Sequence, residues 1–286
     1  EHEALDAANK GFVDGLASKG YKEGQNITFD KQNAQADQSN LQNIAHRFVN
    51  NKVDLICAIA TPAAQTVANV TSDIPIVATA VTDYKTAKLV KDDAKPGTNV
   101  TGTTDMNPVA EQLDLLLKLV PNAKTIGTIY CSSEVNSQLQ VELLKKAAAA
   151  KGITVKEATV STVNDIQQAA RSLAGDVQAV YVPTDNVLAS AIPTLISVTE
   201  EAKLPVICAE GGMVRAGGLA TLGVDYYQLG FQTGVMAADI LSGKAKPADM
   251  AIQAQKEFKP TINLKEAAKI GLKVPEDLLK GADVIK

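Results

Sequence analysis

Thr61-Pro62-Ala63-Ala64-Gln65 is a stretch suited to holding an anion. Thr61 fits a helix N-cap, and Pro62 at the first helical position has no N–H to waste and a preset φ. The amides of Ala63 and Ala64 then face outward at the positive end of a helix. Their short side chains leave room for a carboxylate or phosphate. The plain alternative is a capped helix with no ligand. Ser132-Ser133-Glu134-Val135-Asn136-Ser137 is the counterpart in the second half of the chain. A Ser cap with Glu134 in the first turn suits a helix dipole, and Asn136 and Ser137 are candidate donors to a ligand. Thr184-Asp185-Asn186 brings a carboxylate that either accepts from a ligand ammonium or hydroxyl or caps a helix. Asp83, Glu210 and Asp225 are further acids in matching places. Several acids and one amide-rich anion site fit a zwitterion better than a phosphate or polyanion, because each buried charge needs a partner.

Enzyme signatures are absent. There is no G-x-G-x-x-G, no G-x-x-x-x-G-K-[ST] and no G-x-S-x-G elbow. The chain has two histidines, His2 and His46, which leaves little room for a triad or a zinc site; neither a metal nor a cofactor is expected. His46 falls on the polar flank of an amphipathic helix. Cys57, Cys131 and Cys208 lie far apart, without metal-ligand spacing, and read as small buried hydrophobes. A net charge of −4 with scattered Lys and Arg gives no footprint for nucleic acid, and no apolar run spans a bilayer.

The polar stretches need strands to place them, and five apolar, β-branched runs do so. They are Asp54–Ala60, Ile74–Val81, Thr125–Tyr130, Gln178–Val182 and Leu204–Ala209. Continuous apolar runs of this length fit strands buried on both faces of a parallel sheet, where ligands bind beyond the carboxyl ends. Helices are expected over 3–19, 38–51, 62–70, 107–120, 134–151, 163–174, 186–202 and 226–242. Pro193 kinks the seventh or starts it. Further strands are expected over Asn26–Gln32, 153–160 and 219–223, with a short one near 258–263. The βαβ series breaks near 103–107 and restarts, so the 286 residues predict an α/β protein of two Rossmann-like domains. Helix 1 has no strand before it, so a leader and a strand are expected upstream of Glu1, with His2 at that strand's tip.

At these motifs the chain resembles the solute-binding proteins of ABC-type importers, in the family of tryptophan- and tyrosine-binding lipoproteins. The matching segments include E-H-E-A-L-D-A-A-N-K-G-F at 1–12, Q-N-A-Q-A-D-Q-S-N-L at 32–41 and A-I-A-T-P-A-A-Q at 58–65. Others are A-V-T-D at 80–83, N-V-T-G-T-T-D at 99–105, Y-V-P-T-D-N at 181–186 and G-V-D-Y-Y-Q-L-G at 223–230. The resemblance implies a type I periplasmic-binding-protein fold, two Rossmann-like lobes joined by a multi-crossover hinge, with a small ligand held by closure. The lobes are expected at 1–104 plus 226–252 and at 105–225 plus 253–286. It implies an extracellular, lipid-anchored (or periplasmic) monomer delivering an aromatic amino acid to a membrane permease. The expected ligand-binding residues are Glu1, His2, Thr61, Ala63, Ala64, Gln65, Asp83, Ser132, Ser133, Asn136, Ser137, Thr184, Asp185, Asn186, Glu210 and Asp225. The Thr61–Ala64 amides would take an α-carboxylate. Asp185, with Glu210 or Asp225, would take the α-ammonium. Tyr84, Tyr130, Tyr226 and Tyr227 are the candidates to flank a ring, with packing as the alternative for Tyr130 and Tyr227. The competing readings are a regulatory module of the same fold and a binding protein for a sugar or nucleoside.

Overall fold

The computed structural model describes residues 2–286, and the chain in it divides into two compact units. The first comprises residues 1–106 and 225–256, the second 107–224 and 257–286. Glu1 lies outside the described residues.

The first unit opens with α1 (Glu3–Ser18) and α2 (Gln38–Asn50), then β1 (Ile56–Ile59), α3 (Thr61–Val70), β2 (Ile76–Val81) and β3 (Val100–Thr104). The second carries α4 (Val109–Leu119), β4 (Thr125–Cys131), α5 (Val135–Ala150), β5 (Thr154–Val160), α6 (Ile166–Ala174) and β6 (Val180–Val182). It continues with α7 (Asn186–Ser190), α8 (Ile192–Glu201), β7 (Val206–Cys208), α9 (Gly211–Arg215) and β8 (Ala220–Gly223). The chain returns to the first unit for α10 (Tyr226–Leu241) and β9 (Gln253–Ala254). It ends in the second with β10 (Lys259–Asn263), α11 (Leu264–Ile270), α12 (Glu276–Leu279) and β11 (Asp283–Ile285).

Among the described residues, the first unit's sheet runs β1-β2-β3-β9, parallel throughout. Every residue of β2 is buried, as a central strand covered on both faces requires. Phe12, Leu16, Val77, Met236, Ala237 and Ile240 fill the core between α1, α10 and the sheet. The second unit's sheet runs β11-β10-β8-β7-β6-β4-β5. The β10–β8 pair is antiparallel, so this sheet is mixed where the apolar runs alone predict a parallel one. After β4 the chain adds β5 on one side and β6 on the other. That reversal makes the carboxyl ends of β4 and β6 a topological switch point, where open α/β sheets place their ligands.

One expected element does not form, for an identifiable reason. Asn26–Gln32 joins no sheet, and its one pairing is an isolated bridge between Glu23 and Ile27. The Asn26 side chain accepts from the Lys22 amide and donates to the Gly20 carbonyl, building a turn instead of a ladder. Ile27 and Phe29 still pack against the core. Of the two alternatives for Pro193, the structure shows a helix start: α7 ends at Ser190, Ala191 leaves helical geometry (φ −137°, ψ 30°), and α8 takes up Pro193 in its first turn. Gly211–Arg215 forms a short helix that the polar Glu210-Gly211-Gly212 sequence does not announce.

The helices α1 and α10 meet backbone to backbone. A Cβ on Gly230 would strike the Ala8 carbonyl, and one on Gly11 would strike the Tyr227 carbonyl. No side chain can yield there, since the obstacle is main chain. Gly230→Ala is therefore expected to destabilise the protein by about 1–3 kcal/mol or more, the cost of overpacking. Urea unfolding checks this, and a midpoint equal to wild type would contradict the close approach.

Candidate functional site

In the first unit, α3 starts without a side-chain cap. Thr61 is the first residue of the helix and not its cap as the sequence suggests; the cap is Ala60, held at φ 81° and ψ 153°. That region is sterically costly for any residue with a Cβ, about 1–3 kcal/mol. Ala60 is kept there by its amide bonding to the Thr79 carbonyl and its own carbonyl accepting from Ala64. The Ala64 amide is thereby used within the helix, which leaves the Ala63 amide as the outward donor of the pair. Thr61 is 2% exposed, and its Oγ1 is buried with no hydrogen-bond partner. A buried hydroxyl without a partner is rare in folded proteins. Here it sits at the positive end of α3.

The neighbouring groups of this unit are mostly committed. Gln65 Nε2 donates to the Ala87 carbonyl at 3.1 Å, fixing the irregular segment after β2. Asp83 Oδ1 accepts from the Thr86 amide at 2.7 Å, closing a turn. Asp225 caps α10 through the Gln228 amide. His2, half-buried, stands at the N-cap position of α1 without a side-chain cap bond. One buried acid of the unit carries no expectation from the sequence. Asp105, fully buried, accepts from Thr82 Oγ1 at 2.9 Å and from the Tyr226 hydroxyl at 2.6 Å. Burial pushes its carboxyl above the usual range, against these bonds. The only signal for it was its place at the end of the 99–105 motif, N-V-T-G-T-T-D.

In the second unit, the switch point gathers Glu134, Asn136 and Ser137 from the start of α5 and Thr184, Asp185 and Asn186 from the end of β6. Asp185, 2% exposed, accepts from the Cys131 amide at 2.6 Å, Ser137 Oγ at 2.8 Å and the Leu188 amide at 2.9 Å. Glu134, not Ser132 or Ser133, occupies the N-cap position of α5. Its carboxylate spans to α7, accepting from the Asn186 and Val187 amides and from Asn186 Nδ2 at 2.7 Å. Ser132 and Ser133 are exposed; Ser133 Oγ lies 3.2 Å from Cys131 Sγ. Asn136 Nδ2 and Ser137 Oγ both donate to the Thr184 carbonyl, at 2.8 and 3.0 Å. Gln140 holds Thr184 through both its main-chain amide and its hydroxyl, and Asn107 Nδ2 adds a bond to that hydroxyl. Glu210 caps α9 through the Gly212 and Met213 amides.

The four tyrosines separate in the same way. Tyr84 is buried with its hydroxyl on the Ala78 and Thr103 carbonyls. Tyr130 bonds Glu157, and Tyr227 bonds Asp14 beneath the Lys10 ammonium. Tyr226 alone stands with the buried strand-end groups, through Asp105.

Glu134 and Asp185 share one buried neighbourhood. Burial, then the charge of Asp185, pushes the Glu134 carboxyl up to about 7 from an ordinary 4.5. Burial also raises Asp185. Among the described residues no His, Cys, Asp and Glu group could hold a metal ion, and no helix is long and apolar enough to cross a membrane.

Residues 1–286 match the family of ABC transporter substrate binding proteins. A tyrosine-binding protein of Clostridioides difficile is 44% identical over 286 residues, all of this chain and 79% of that protein. The structure of an ABC domain in complex with L-Trp from Streptococcus pneumonia is 42% identical, with a TM-score of 0.96, over 100% of this chain and 96% of that one. The ligand-free, open structure of a substrate binding protein from Clostridium difficile is 44% identical with a TM-score of 0.75, over 100% and 96%. Solute-binding proteins below 25% identity share the periplasmic-binding-protein fold and speak to the fold alone. The chain belongs to the family of ABC transporter substrate binding proteins. It is a binding protein and not an enzyme; it works outside the cytoplasm with an ABC transporter.

The pH dependence of stability tests the buried acids. The folded state holds a proton on Glu134 that the unfolded chain releases at lower pH. Its contribution is full below about 4.5 and is lost as pH rises through about 7. Glu134→Gln is therefore expected to flatten the fall in stability over that window relative to wild type. Parallel slopes for the two proteins in urea unfolding across the window would contradict the assignment.

Proposed function

We propose that this protein captures an aromatic α-amino acid, tyrosine or tryptophan first, by closure of its two lobes. We further propose that it is a lipid-anchored monomer handing this cargo to a membrane permease. The observation that carries the reading is the opposite character of the two strand-end sites. The α3 end offers an outward amide at Ala63 and the unpartnered Thr61 hydroxyl at a positive helix terminus, which suits an α-carboxylate. The β4/β6 end holds two buried acids, which suits a cation. A zwitterion has both ends. The side-chain class comes from the relatives: one is named for tyrosine, and another holds L-Trp. Tyr226 is the aromatic residue proposed to lie beside the ring.

Thermal melting of ligand-stripped protein tests this. A ligand at 100 times its Kd stabilises by about 2.7 kcal/mol, readily seen in the melting temperature. A rise with Tyr, Trp or Phe, and none with sugars, nucleosides or small anions, is expected. A rise only with a sugar or nucleoside would overturn the ligand while keeping the family. At the carboxylate end, Ala63→Leu is expected to remove the ligand-induced rise and leave the ligand-free melting temperature within a few degrees of wild type. An undiminished rise would contradict the anion site at α3.

A further inference from the structure

The two halves of the Asn136 side chain are treated very differently. Its Nδ2 has three acceptors: Glu134 Oε2 at 3.0 Å, the Thr184 carbonyl at 2.8 Å and Ser137 Oγ at 3.3 Å. This fixes the amide's orientation, because turning it over would set its oxygen against a carboxylate and a carbonyl. Oδ1 therefore points the other way. It is buried, on a residue 4% exposed, and it has no hydrogen-bond partner. An acceptor buried without a donor costs free energy, and such groups mark a site needing something from outside the chain.

The charge around it is also unfinished. Glu134 and Asp185 lie on the same network as Asn136, and their hydrogen-bond donors are amides and a hydroxyl. Among the described residues neither meets a Lys, Arg or His side chain. Two buried carboxylates without a cation must share a proton or attract a positive group. Asp185 itself is a poor direct contact. Its oxygens already accept from Cys131, Ser137 and Leu188, bonds that hold β4, α5 and α7 in place.

We propose that Asn136 Oδ1 is the seat of the ligand's ammonium group, with Glu134 and Asp185 supplying the negative field without direct contact from Asp185. This rests on the reading of the ligand as an α-amino acid. It replaces the Asp185–ammonium contact that the sequence suggests, and makes Asn136 an acceptor toward ligand, not the donor its sequence position suggests.

The test is isothermal titration of wild type and Asn136→Leu with L-tryptophan and with indolepropionate, which lacks the ammonium. If wild type prefers another α-amino acid, that acid and its desamino counterpart are used. Losing one hydrogen bond to a charged group predicts roughly 10- to 100-fold weaker binding of the amino acid by the variant. Binding of the desamino compound is expected to change little. Equal losses on both compounds, or no loss on either, would overturn the proposal. If indolepropionate binds neither protein, or the Leu variant fails to fold, the crystal structure of the wild-type complex decides. A ligand nitrogen within about 3 Å of Asn136 Oδ1 supports the seat, and one beyond hydrogen-bond reach overturns it. Preference for a non-aromatic amino acid would overturn the aromatic reading while this comparison still tests the seat. Binding only of ligands without an ammonium, such as glucose or myo-inositol, would overturn both.

Discussion

The Asp185 carboxylate holds the switch-point end of the second unit together. One oxygen accepts from the Leu188 amide and caps α7; the other accepts from the Cys131 amide at the end of β4 and from Ser137 on α5. Three elements that meet at the switch point are thus tied through one buried anion. Bonds to an ionised acceptor are the stronger kind, about 1.5–3 kcal/mol each. Burial nevertheless raises the pKa of this acid, so those bonds offset desolvation only in part. Glu134 closes the same ring from the other side, through the Asn186 and Val187 amides. The second unit therefore holds two desolvated acids at the switch point of its sheet.

The first unit solves its strand end in the opposite way. At α3 no carboxylate caps the helix. A strained Ala60 occupies the cap position, and a hydroxyl is buried without a partner. Elsewhere in the chain Asp37, Asp185, Glu210, Asp225 and Asn263 cap their helices through side-chain oxygens. A carboxylate at the α3 position would neutralise the positive terminus that an anionic ligand group needs. Lacking one keeps that terminus open, and strain at Ala60 is the local cost. The two units thus present complementary polarity, each produced by how its helix starts are capped.

Much of this was legible in the sequence, because apolar run length and helix periodicity report burial directly. The five strand runs, the restart near 103–107 and the polar strand ends all follow from those patterns, although β1 is buried on one face only. The roles of the acids were less legible. A carboxylate before a helix serves equally as a cap or as a ligand contact, and only the count of donors around Asp185, Glu210 and Asp225 separates the two. Asn136 illustrates the same limit: its type fits donor or acceptor, and its orientation is set by Glu134 and Thr184, the latter some fifty residues away in sequence. Asp105 went unread because its partners, Thr82 and Tyr226, come from separate segments. Asn26–Gln32 misled because alternation signals a strand only when its backbone groups are free to pair.

An aromatic zwitterion is the cargo proposed for this protein. Native mass spectrometry tests it most directly. Ligand-stripped protein would be offered an equimolar mixture of amino acids, sugars and nucleosides, and the mass of the bound species read from the complex. A single adduct with the mass of tyrosine or tryptophan is expected. An adduct with the mass of a sugar or nucleoside would contradict it.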